Sequence, residues 1–282
     1  MSAKIIDGKE IAQQIRSEVK NEVSKLIEGG GRAPALAVVL VGNDPASEIY
    51  VKNKKKACHS TGITSIEHKL SEDIPEKDLV ALIDRLNKDP EIDGILVQLP
   101  LPGKLHENMI IERIDPKKDV DGFHPVSVGR LVANTKGLRP CTPAGIIELL
   151  KRINVDLVGK KAVVLGRSNI VGKPTATLLL HESCTTTVAH SKTKHLKELC
   201  QRADIIIAAI GKPKFVTADM VKEGAIVIDV GVNRTEEGIF GDTDFANVKQ
   251  VAGYITPVPG GVGPMTIAML MVNTLEAYKL NR

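Results

Sequence analysis

Short apolar runs alternate with amphipathic stretches along the first half of the chain. Residues 35–41 are almost wholly apolar, which is typical of a strand covered on both faces in a parallel sheet. Asp44 and Pro45 then predict the cap and the first turn of a helix, and Gly62 predicts its end. Further predicted elements are strands at 64–70 and 93–98 and a helix at 75–88. This strand–helix–strand–helix–strand order predicts an α/β layer.

A second series of the same kind begins near residue 160. Its predicted strands are 162–165, 186–189, 205–209 and 225–230, with helical stretches between them. Before it, Thr142 and Pro143 predict the cap and the start of a helix that runs to residue 152. The predicted fold is α/β with two domains, residues 1–140 and 141–264, of which the second is a Rossmann-like parallel sheet. A final helix at about 265–282 is expected to pack back on the first domain.

A glycine-rich turn follows the predicted strand 162–165. It reads Gly-Arg-Ser-Asn-Ile-Val-Gly and precedes a helix, as in folds that bind a dinucleotide pyrophosphate. The next strand ends in His-Ser-Lys, where an NAD site would carry a carboxylate. Because these side chains and the arginine of the turn suit a 2′-phosphate, the sequence predicts NADP, unless this strand end is merely solvated. The predicted cofactor-binding residues are Gly166, Arg167, Ser168, Gly172, His190 and Ser191, with Lys192 beside them.

Polar residues in the first half form a second candidate site. Ser47, Tyr50 and Lys54 are spaced i, i+3, i+7, so they share one face of the predicted helix. Gln98 ends an apolar strand at the carboxyl edge, where α/β sheets bind ligands, and Lys54 is a candidate partner for its amide. Asp119 and Asp121 lie in one loop, and a carboxylate there can pair with an amino-substituted heterocycle. The alternatives are a solvated lysine, a Gln bonded to its own loop and an ordinary acidic turn.

The segment 256–266 holds three prolines and three glycines ahead of a helix predicted from about residue 265. Prolines stiffen the chain, and glycines let a ligand approach the backbone near unpaired N–H groups of a helix start. This density favours a ligand-binding loop over an ordinary tight turn. The bonds Leu99–Pro100 and Val258–Pro259 are the candidates for cis peptides.

Composition narrows the class of protein. A net charge of +4 is too small to indicate a nucleic-acid partner, and 2% aromatic residues argue against a base-stacking platform. The four cysteines show no C-x-x-C spacing and no His at metal-like spacing, so we expect free thiols in a reducing compartment and no metal site. No apolar signal core and no membrane-length apolar run occur, so a cytoplasmic protein without a membrane partner is expected.

Six motifs together resemble the bifunctional methylenetetrahydrofolate dehydrogenase/cyclohydrolase family. They are Tyr50-x-x-x-Lys54, Asp-Gly-Ile-Leu-Val-Gln-Leu-Pro-Leu-Pro at 93–102, Lys-Asp-Val-Asp-Gly at 118–122, Pro-Cys-Thr-Pro at 140–143, Gly-Arg-Ser-x-x-Val-Gly-Lys-Pro at 166–174 and Pro-Val-Pro-Gly-Gly-Val-Gly-Pro-Met-Thr at 257–266. The resemblance extends from about Ile6 to the last helix, and the order of the motifs makes it specific.

The resemblance implies roles for individual residues. Lys54 would be the essential lysine of the cyclohydrolase step, Tyr50 would stack along the folate, Gln98 would tune the lysine and Asp121 would grip the pterin ring. Val232, where the family usually has Ile, would join the NADP contacts. The substrate-contacting loops would comprise Val97, Gln98, Leu99, Pro259, Gly260, Gly261, Val262 and Gly263. Helices at 143–152 and 265–279 would bridge the domains, with the active site in the cleft between them, and the chain would form a homodimer.

The expected function has two steps. Hydride transfer from 5,10-methylenetetrahydrofolate to NADP gives 5,10-methenyltetrahydrofolate, and hydrolysis of that product gives 10-formyltetrahydrofolate. Both steps belong to one-carbon metabolism. Positioning should dominate the first step, whereas the second needs proton transfer, for which a buried and partly neutral lysine is suited. The alternatives are another two-domain NAD(P) dehydrogenase of the shikimate or amino-acid type, a catalytically silent nucleotide-binding protein, and a dehydrogenase with weak hydrolase activity.

Overall fold

A computed structural model describes residues 2–282, apart from the side chain of residue 46. The helices are α1 Gly8–Glu28, α2 Pro45–Thr61, α3 Glu76–Lys88, α4 Glu107–Arg113, α5 Pro125–Val132, α6 Cys141–Arg152, α7 Gly172–His181, α8 Leu196–Gln201, α9 Phe245–Val248 and α10 Val262–Leu280, with a 3₁₀ turn at Ala218–Met220. The strands are β1 Lys4–Ile5, β2 Ala35–Val41, β3 Thr64–Leu70, β4 Gly94–Val97, β5 Lys161–Leu165, β6 Thr185–Ala189, β7 Ile205–Ala208, β8 Ile226–Asp229, β9 Asn233–Thr235, β10 Gly238–Phe240 and β11 Tyr254–Ile255. The chain divides into two compact units.

One unit comprises residues 13–141 and 267–282. Its sheet has the order β3-β2-β4, and both pairings are parallel. Every residue of the central strand β2 is buried, as its apolar run predicts. The strand predicted at 93–98 is shorter, but the N–H groups of Asp93 and Gln98 still donate to carbonyls of β2. The ladder therefore reaches Gln98 and fixes its position.

The helix α2 begins and ends where its capping residues predict. The Asp44 carboxylate accepts a hydrogen bond from the N–H of Ser47 at 2.8 Å, and Pro45 occupies the first turn. Gly62 ends the helix with φ of +77°, a left-handed conformation that costs glycine little. Local chemistry alone therefore sets the span that carries Ser47, Tyr50 and Lys54.

The other unit comprises the residues up to Ala12 together with residues 142–266. Its six-stranded sheet has the order β1-β11-β8-β7-β5-β6, and its pairings are all parallel. The two-residue strand β1 pairs with β11, so these residues belong to this sheet, in contrast to the predicted division at 1–140. Since β1 is too short to leave an apolar pattern, only its distant partner reveals it. The α/β class and the Rossmann-like sheet are confirmed.

Two helices begin earlier than predicted. The first residue of α6 is Cys141, so Thr142 lies inside the helix and does not cap it, and its hydroxyl lies 2.8 Å from Thr266 Oγ1. The helix α10 begins at Val262 rather than near residue 265. Pro264 is tolerated in that first turn because N–H groups there have no partner within the helix. Val262 and Gly263 are therefore helical and not part of the preceding loop.

Candidate active site

The lysine–glutamine pair is held by α2 and by the end of β4. Gln98 follows β4, and its backbone N–H donates to the carbonyl of Val39 at 2.9 Å. Its side-chain Nε2 donates to the carbonyl of Leu99 at 2.7 Å, which leaves Oε1 free to accept. Lys54 Nζ donates to that Oε1 at 2.9 Å. The backbone therefore fixes the amide, and the amide orients the amine.

Lys54 is 9% exposed, an uncommon burial for a lysine. Within residues 2–282, Gln98 Oε1 is the only hydrogen-bond acceptor that its Nζ meets. An ammonium carries three protons, so one bond leaves donor capacity unused. Because Gln98 is neutral, it orients the amine without adding a charge to the site. This arrangement suits an amine that exchanges protons with a ligand.

The loop after β4 presents Asp121. Asp119 shapes this loop, since its carboxylate accepts bonds from two backbone N–H groups and from the hydroxyl of Ser127. Asp121, in contrast, makes no hydrogen bond within the described residues 2–282. Burial raises the pKa of Asp121 to about 6, the charge of Lys54 opposes that rise, and Asp119 adds to it. Asp121 is thus a half-buried acceptor without a donor among the described residues 2–282.

Two buried residues that sequence reasoning did not place at this site hold the same loop. Asn273 of α10 donates through Nδ2 to the carbonyls of Val120 and Arg139, each at 2.7 Å. The Cys141 thiol donates to the carbonyl of Val120 at 3.2 Å, and burial raises its pKa well above the usual range. The carbonyl next to Asp121 is therefore fixed from two sides. The one available signal was a lone amide in an apolar helix.

The other predicted residues of this unit differ in exposure. Ser47 is buried, whereas Tyr50 is 42% exposed, and within residues 2–282 neither side chain is hydrogen-bonded to Lys54. Val97 is buried at the end of β4, and Leu99 is half-buried beside the predicted cis bond to Pro100, which is confirmed. The geometry thus brings Lys54 and Gln98 together, with Asp121 near enough to sense the lysine's charge.

The six-stranded unit carries the glycine turn after β5. Gly166 has φ of +116°, and a Cβ there would lie 2.1 Å from the carbonyl oxygen of Ala209. A Cβ on Gly172 would lie 2.3 Å from the carbonyl oxygen of Gly166. Ser168 Oγ accepts from the N–H groups of Val171 and Gly172, both at 3.2 Å. Since only glycine fits both places, the turn has the close-packed backbone that a dinucleotide site requires.

The predicted 2′-phosphate residues lie at the surface of this unit. Arg167, Ser191 and Lys192 are exposed, and His190 is half-buried. The His190 Nδ1 accepts from the N–H of Lys192 at 3.2 Å, which fixes the strand end. The side chain of Val232, after β8, is 50% exposed. No carboxylate lies in the segment 189–193, so the positive and hydroxyl groups there fit a phosphate.

The proline–glycine loop is packed tightly within the same unit. The Val258–Pro259 peptide is cis, as predicted, and Gly260 has φ of +111°. A Cβ on Gly8 would lie 1.9 Å from the carbonyl oxygen of Gly261, so the start of α1 rests on the loop backbone. Pro259 and Gly263 are exposed, whereas Gly260 and Gly261 are buried. The loop backbone is therefore closely packed against the start of α1.

Other kinds of site can be checked over the same residues. Within residues 2–282, no group of His, Cys, Asp and Glu side chains has an arrangement that would hold a metal ion. Of the described helices, none is both long enough and apolar enough to span a membrane. All four cysteines are free and buried.

The glycine turn on a Rossmann-like sheet is typical of an NAD(P)-dependent enzyme, and the same chain holds a buried lysine–glutamine pair. The family models of the tetrahydrofolate dehydrogenase/cyclohydrolase catalytic domain and NAD(P)-binding domain match residues 6–121 and 140–282. The chain belongs to this family.

Its relatives cover the whole chain. The bifunctional protein FolD of Caldicellulosiruptor saccharolyticus is 59% identical over 275 residues, 96% of this chain and 98% of that protein. The crystal structure of the Campylobacter jejuni FolD dehydrogenase/cyclohydrolase superposes with a TM-score of 0.97 at 49% identity, and covers 100% of both chains. The Trypanosoma brucei dehydrogenase-cyclohydrolase, solved with NADP and an inhibitor, gives 0.94 at 37% identity and covers 99% of this chain and 98% of that one.

These similarities confirm the predicted resemblance and the NADP cofactor. They also confirm the expected activity: NADP-dependent oxidation of methylenetetrahydrofolate and hydrolysis of the methenyl product, with folate derivatives as substrates. The alternative of a shikimate-type or amino-acid-type dehydrogenase is wrong, since the chain belongs to a different family.

Proposed function

We propose that Lys54 and Gln98 perform the hydrolytic half of this activity, in which 5,10-methenyltetrahydrofolate becomes 10-formyltetrahydrofolate. The observation that carries the proposal is the buried amine of Lys54, held 2.9 Å from the neutral oxygen of Gln98. The methenyl carbon lies between two nitrogens and carries positive charge, so water attacks it and must lose a proton. An amine held within reach of the attacking water can accept that proton.

The remaining bond changes follow once the attacking water has lost its proton. The attacked carbon bears a hydroxyl, whose proton moves to folate N5 as the carbon–N5 bond breaks. The carbon stays on N10 as a formyl group, and one proton is released overall. Lys54 is the group that accepts and returns protons, and Gln98 orients it without changing the charge of the site.

We assign substrate binding to Asp121 in the same proposal. Its carboxyl lacks a donor from the described chain, and a pterin ring offers adjacent N–H donors that suit bidentate pairing. A pKa of about 6 leaves the group mainly ionised above pH 7. Tyr50 would stack along the folate, with Ser47 on the same helix. The segments 97–99 and 259–263 would complete the contacts, as the family resemblance implies.

The cofactor would be held by the glycine turn and by the strand ends beside it. NADP supplies a hydride acceptor when bound. The chain's own contribution is to fix the position of the two reacting rings, since positioning is the main requirement of hydride transfer. The residues assigned to it are Gly166, Arg167, Ser168, Gly172, His190, Ser191 and Val232.

We further propose that the chain works as a homodimer in the cytoplasm, without a nucleic-acid or membrane partner. The family resemblance and the near-neutral charge support this. Light scattering on the purified protein tests the assembly, where the expected mass is about twice the chain mass of 30.3 kDa.

One mixing experiment tests the catalytic proposal. Purified protein, methylenetetrahydrofolate and NADP are combined, and NADPH, the methenyl absorption band and the formyl product are followed together. We expect NADPH and formyl product to form, with little methenyl intermediate left. No NADPH would indicate a silent nucleotide-binding protein. NADPH with methenyl that decays only at its spontaneous rate would remove the lysine–glutamine pair from catalysis.

A further inference from the structure

One buried aspartate ends β8 in the six-stranded unit, and a second follows it in the chain. Asp229 is 3% exposed and Asp242 is fully buried. A Cβ on Gly231 would lie 2.1 Å from Asp242 Oδ1, and a Cβ on Gly241 would lie 2.0 Å from Asp229 Oδ2. Glycine at both positions therefore leaves the space that the two carboxyl groups occupy.

Asp242 accepts four hydrogen bonds. Its Oδ2 accepts from the N–H groups of Ile210 at 2.6 Å and Gly211 at 2.9 Å. Its Oδ1 accepts from the N–H of Lys212 and from Asn233 Nδ2, both at 2.9 Å. One side chain therefore fixes three consecutive peptide groups after β7 and a side chain at the start of β9.

Asp229 in turn fixes Asp242. Its Oδ1 accepts from the N–H groups of Gly231 at 3.1 Å and Asp242 at 2.9 Å, and its Oδ2 accepts from the N–H of Thr243 at 2.8 Å. Burial raises the pKa of Asp229 to about 6, although the backbone N–H groups of residues 242 and 243 oppose the rise. Neither aspartate was predicted from the sequence.

The segments held in this way adjoin the glycine turn. The segment 210–212 continues directly from Ala209, whose carbonyl lies against Gly166. Val232 stands between Gly231 and Asn233, and each of these neighbours is hydrogen-bonded to one of the aspartates. The segments follow β7 and β8, at the carboxyl edge where sheets of this kind bind nucleotides.

We propose that Asp242 is a positioning residue for NADP, which sets the segments 210–212 and 231–233 in the conformation that receives the cofactor. The proposal rests on the cofactor contacts assigned above. Asp242 acts through backbone groups and through Asn233, and it has no role in the hydrolytic step. Loss of the carboxylate leaves N–H groups unpaired, so the segments relax away from this conformation.

The test is Asp242→Asn in the full chain. The amide keeps the shape but replaces one acceptor oxygen by a donor. We expect the Kd for NADP, measured by calorimetry without folate, and the KM for NADP to rise about 10-fold or more. Hydrolysis of methenyltetrahydrofolate uses no NADP and should stay within about twofold of the parent. An unchanged Kd, or an equal loss of both activities, would overturn the proposal.

The matched control is Asp204→Asn. Asp204 precedes β7 at the amino edge of the same sheet, and it accepts from the N–H of Lys161 at 2.9 Å and from Lys222 Nζ at 2.6 Å. We expect it to leave the Kd for NADP unchanged. A rise equal to that of Asp242→Asn would show a general loss of order and would also overturn the proposal.

A milder variant decides the matter if Asp242→Asn does not fold. Asn233→Ala removes one of the four donors to Asp242, on a half-buried side chain. We expect a rise of about threefold to tenfold in the Kd for NADP with normal hydrolysis, and an unchanged Kd would refute the proposal. Hydrolysis of methenyltetrahydrofolate by the unaltered chain is measured in parallel. If the unaltered chain does not hydrolyse it, the lysine–glutamine mechanism fails, and this result is distinct from a failure of the Asp242 proposal.

Discussion

Asp121 and Asp242 are both aspartates beside a proposed ligand site, but Asp242 is fully buried and Asp121 is half-buried. Asp242 accepts four hydrogen bonds from its own chain, whereas Asp121 accepts none within residues 2–282. Carboxyl groups inside a protein are normally hydrogen-bonded, as Asp242 is. The contrast agrees with the proposal that Asp242 orders its own chain, while Asp121 pairs with donors that a ligand brings.

Two buried lysines in the unit of residues 13–141 and 267–282 repeat the contrast. Lys118 Nζ donates to the carbonyls of Leu86 at 3.0 Å and Asp89 at 2.7 Å and so satisfies the end of α3. Lys54 Nζ donates a hydrogen bond to Gln98 Oε1 and to no other acceptor among the described residues. Burial therefore does not distinguish the two lysines, whereas their unused hydrogen-bonding capacity does.

The largest effect is expected at Lys54. Lys54→Met removes the proton carrier, so hydrolysis of methenyltetrahydrofolate should fall about 10²- to 10⁴-fold, the usual contribution of general acid–base catalysis. Some NADP reduction should remain in the same preparation. Lys56→Met, on an exposed lysine of the same helix, is the control and should hydrolyse normally. Hydrolysis at the parent rate by Lys54→Met would end the assignment.

The next effect is expected from Asp121→Ala. Removal of a charge-assisted partner of the pterin ring should raise the folate KM about 10- to 100-fold. Because binding precedes both steps, the dehydrogenase and cyclohydrolase assays should show the same rise, whereas the KM for NADP should not change. A variant that keeps its folate KM in both assays would remove Asp121 from the site.

Stability measurements sharpen the comparison, because the two aspartates should give opposite signs. The pKa of Asp121 is about 6 in the folded chain against an ordinary value of 3.8, so its ionised form costs stability. That cost is full above pH 6 and disappears as the pH falls below 4. Asp121→Asn should therefore raise the free energy of unfolding by about 2 kcal/mol at pH 8 and by less at pH 5.

The companion variant should behave in the other direction. Asp242→Asn breaks bonds to several backbone N–H groups and should lower the free energy of unfolding at pH 8 by about 1 to 3 kcal/mol. Urea denaturation at both pH values measures each variant against the parent chain. If Asp121→Asn were the destabilised one, the idea of an unsatisfied functional carboxyl would be lost.

The smallest effect is expected at Gln98. Gln98→Met keeps the volume but removes the acceptor for Lys54, so hydrolysis should fall about 10-fold while the folate KM stays nearly constant. The dehydrogenase rate of the same variant is the internal control and should change little. Equal losses in both activities would mean that Gln98 serves binding instead of orienting the amine.

Local signals were readable from the sequence. The strand β2 and the limits of α2 follow from an apolar run and from Asp44 and Gly62, all within a few residues of their effect. The pair Lys54 and Gln98 was also within reach, since the carboxyl edge of a strand is a general ligand position. These features need no knowledge of distant partners.

Distant pairings were not readable. Asn273 bonds to carbonyls more than a hundred positions earlier in the chain, and Asp242 bonds to a segment about thirty positions away. Neither residue has a neighbouring pattern that indicates its partner. The early start of α10 was missed for a different reason: Pro264 suggested a boundary, but the first helical turn accepts proline.

The contact between Gly8 and Gly261 has a practical consequence for anyone who engineers this protein. The backbone at Gly8 packs directly against the loop at Gly261, some 250 positions later, and the space between them admits no side chain. Cutting or replacing residues 4–8 would remove both an edge strand and the floor of that loop. Changes to this segment would therefore disturb the packing of the loop at Gly261, so a fusion partner should not be joined here.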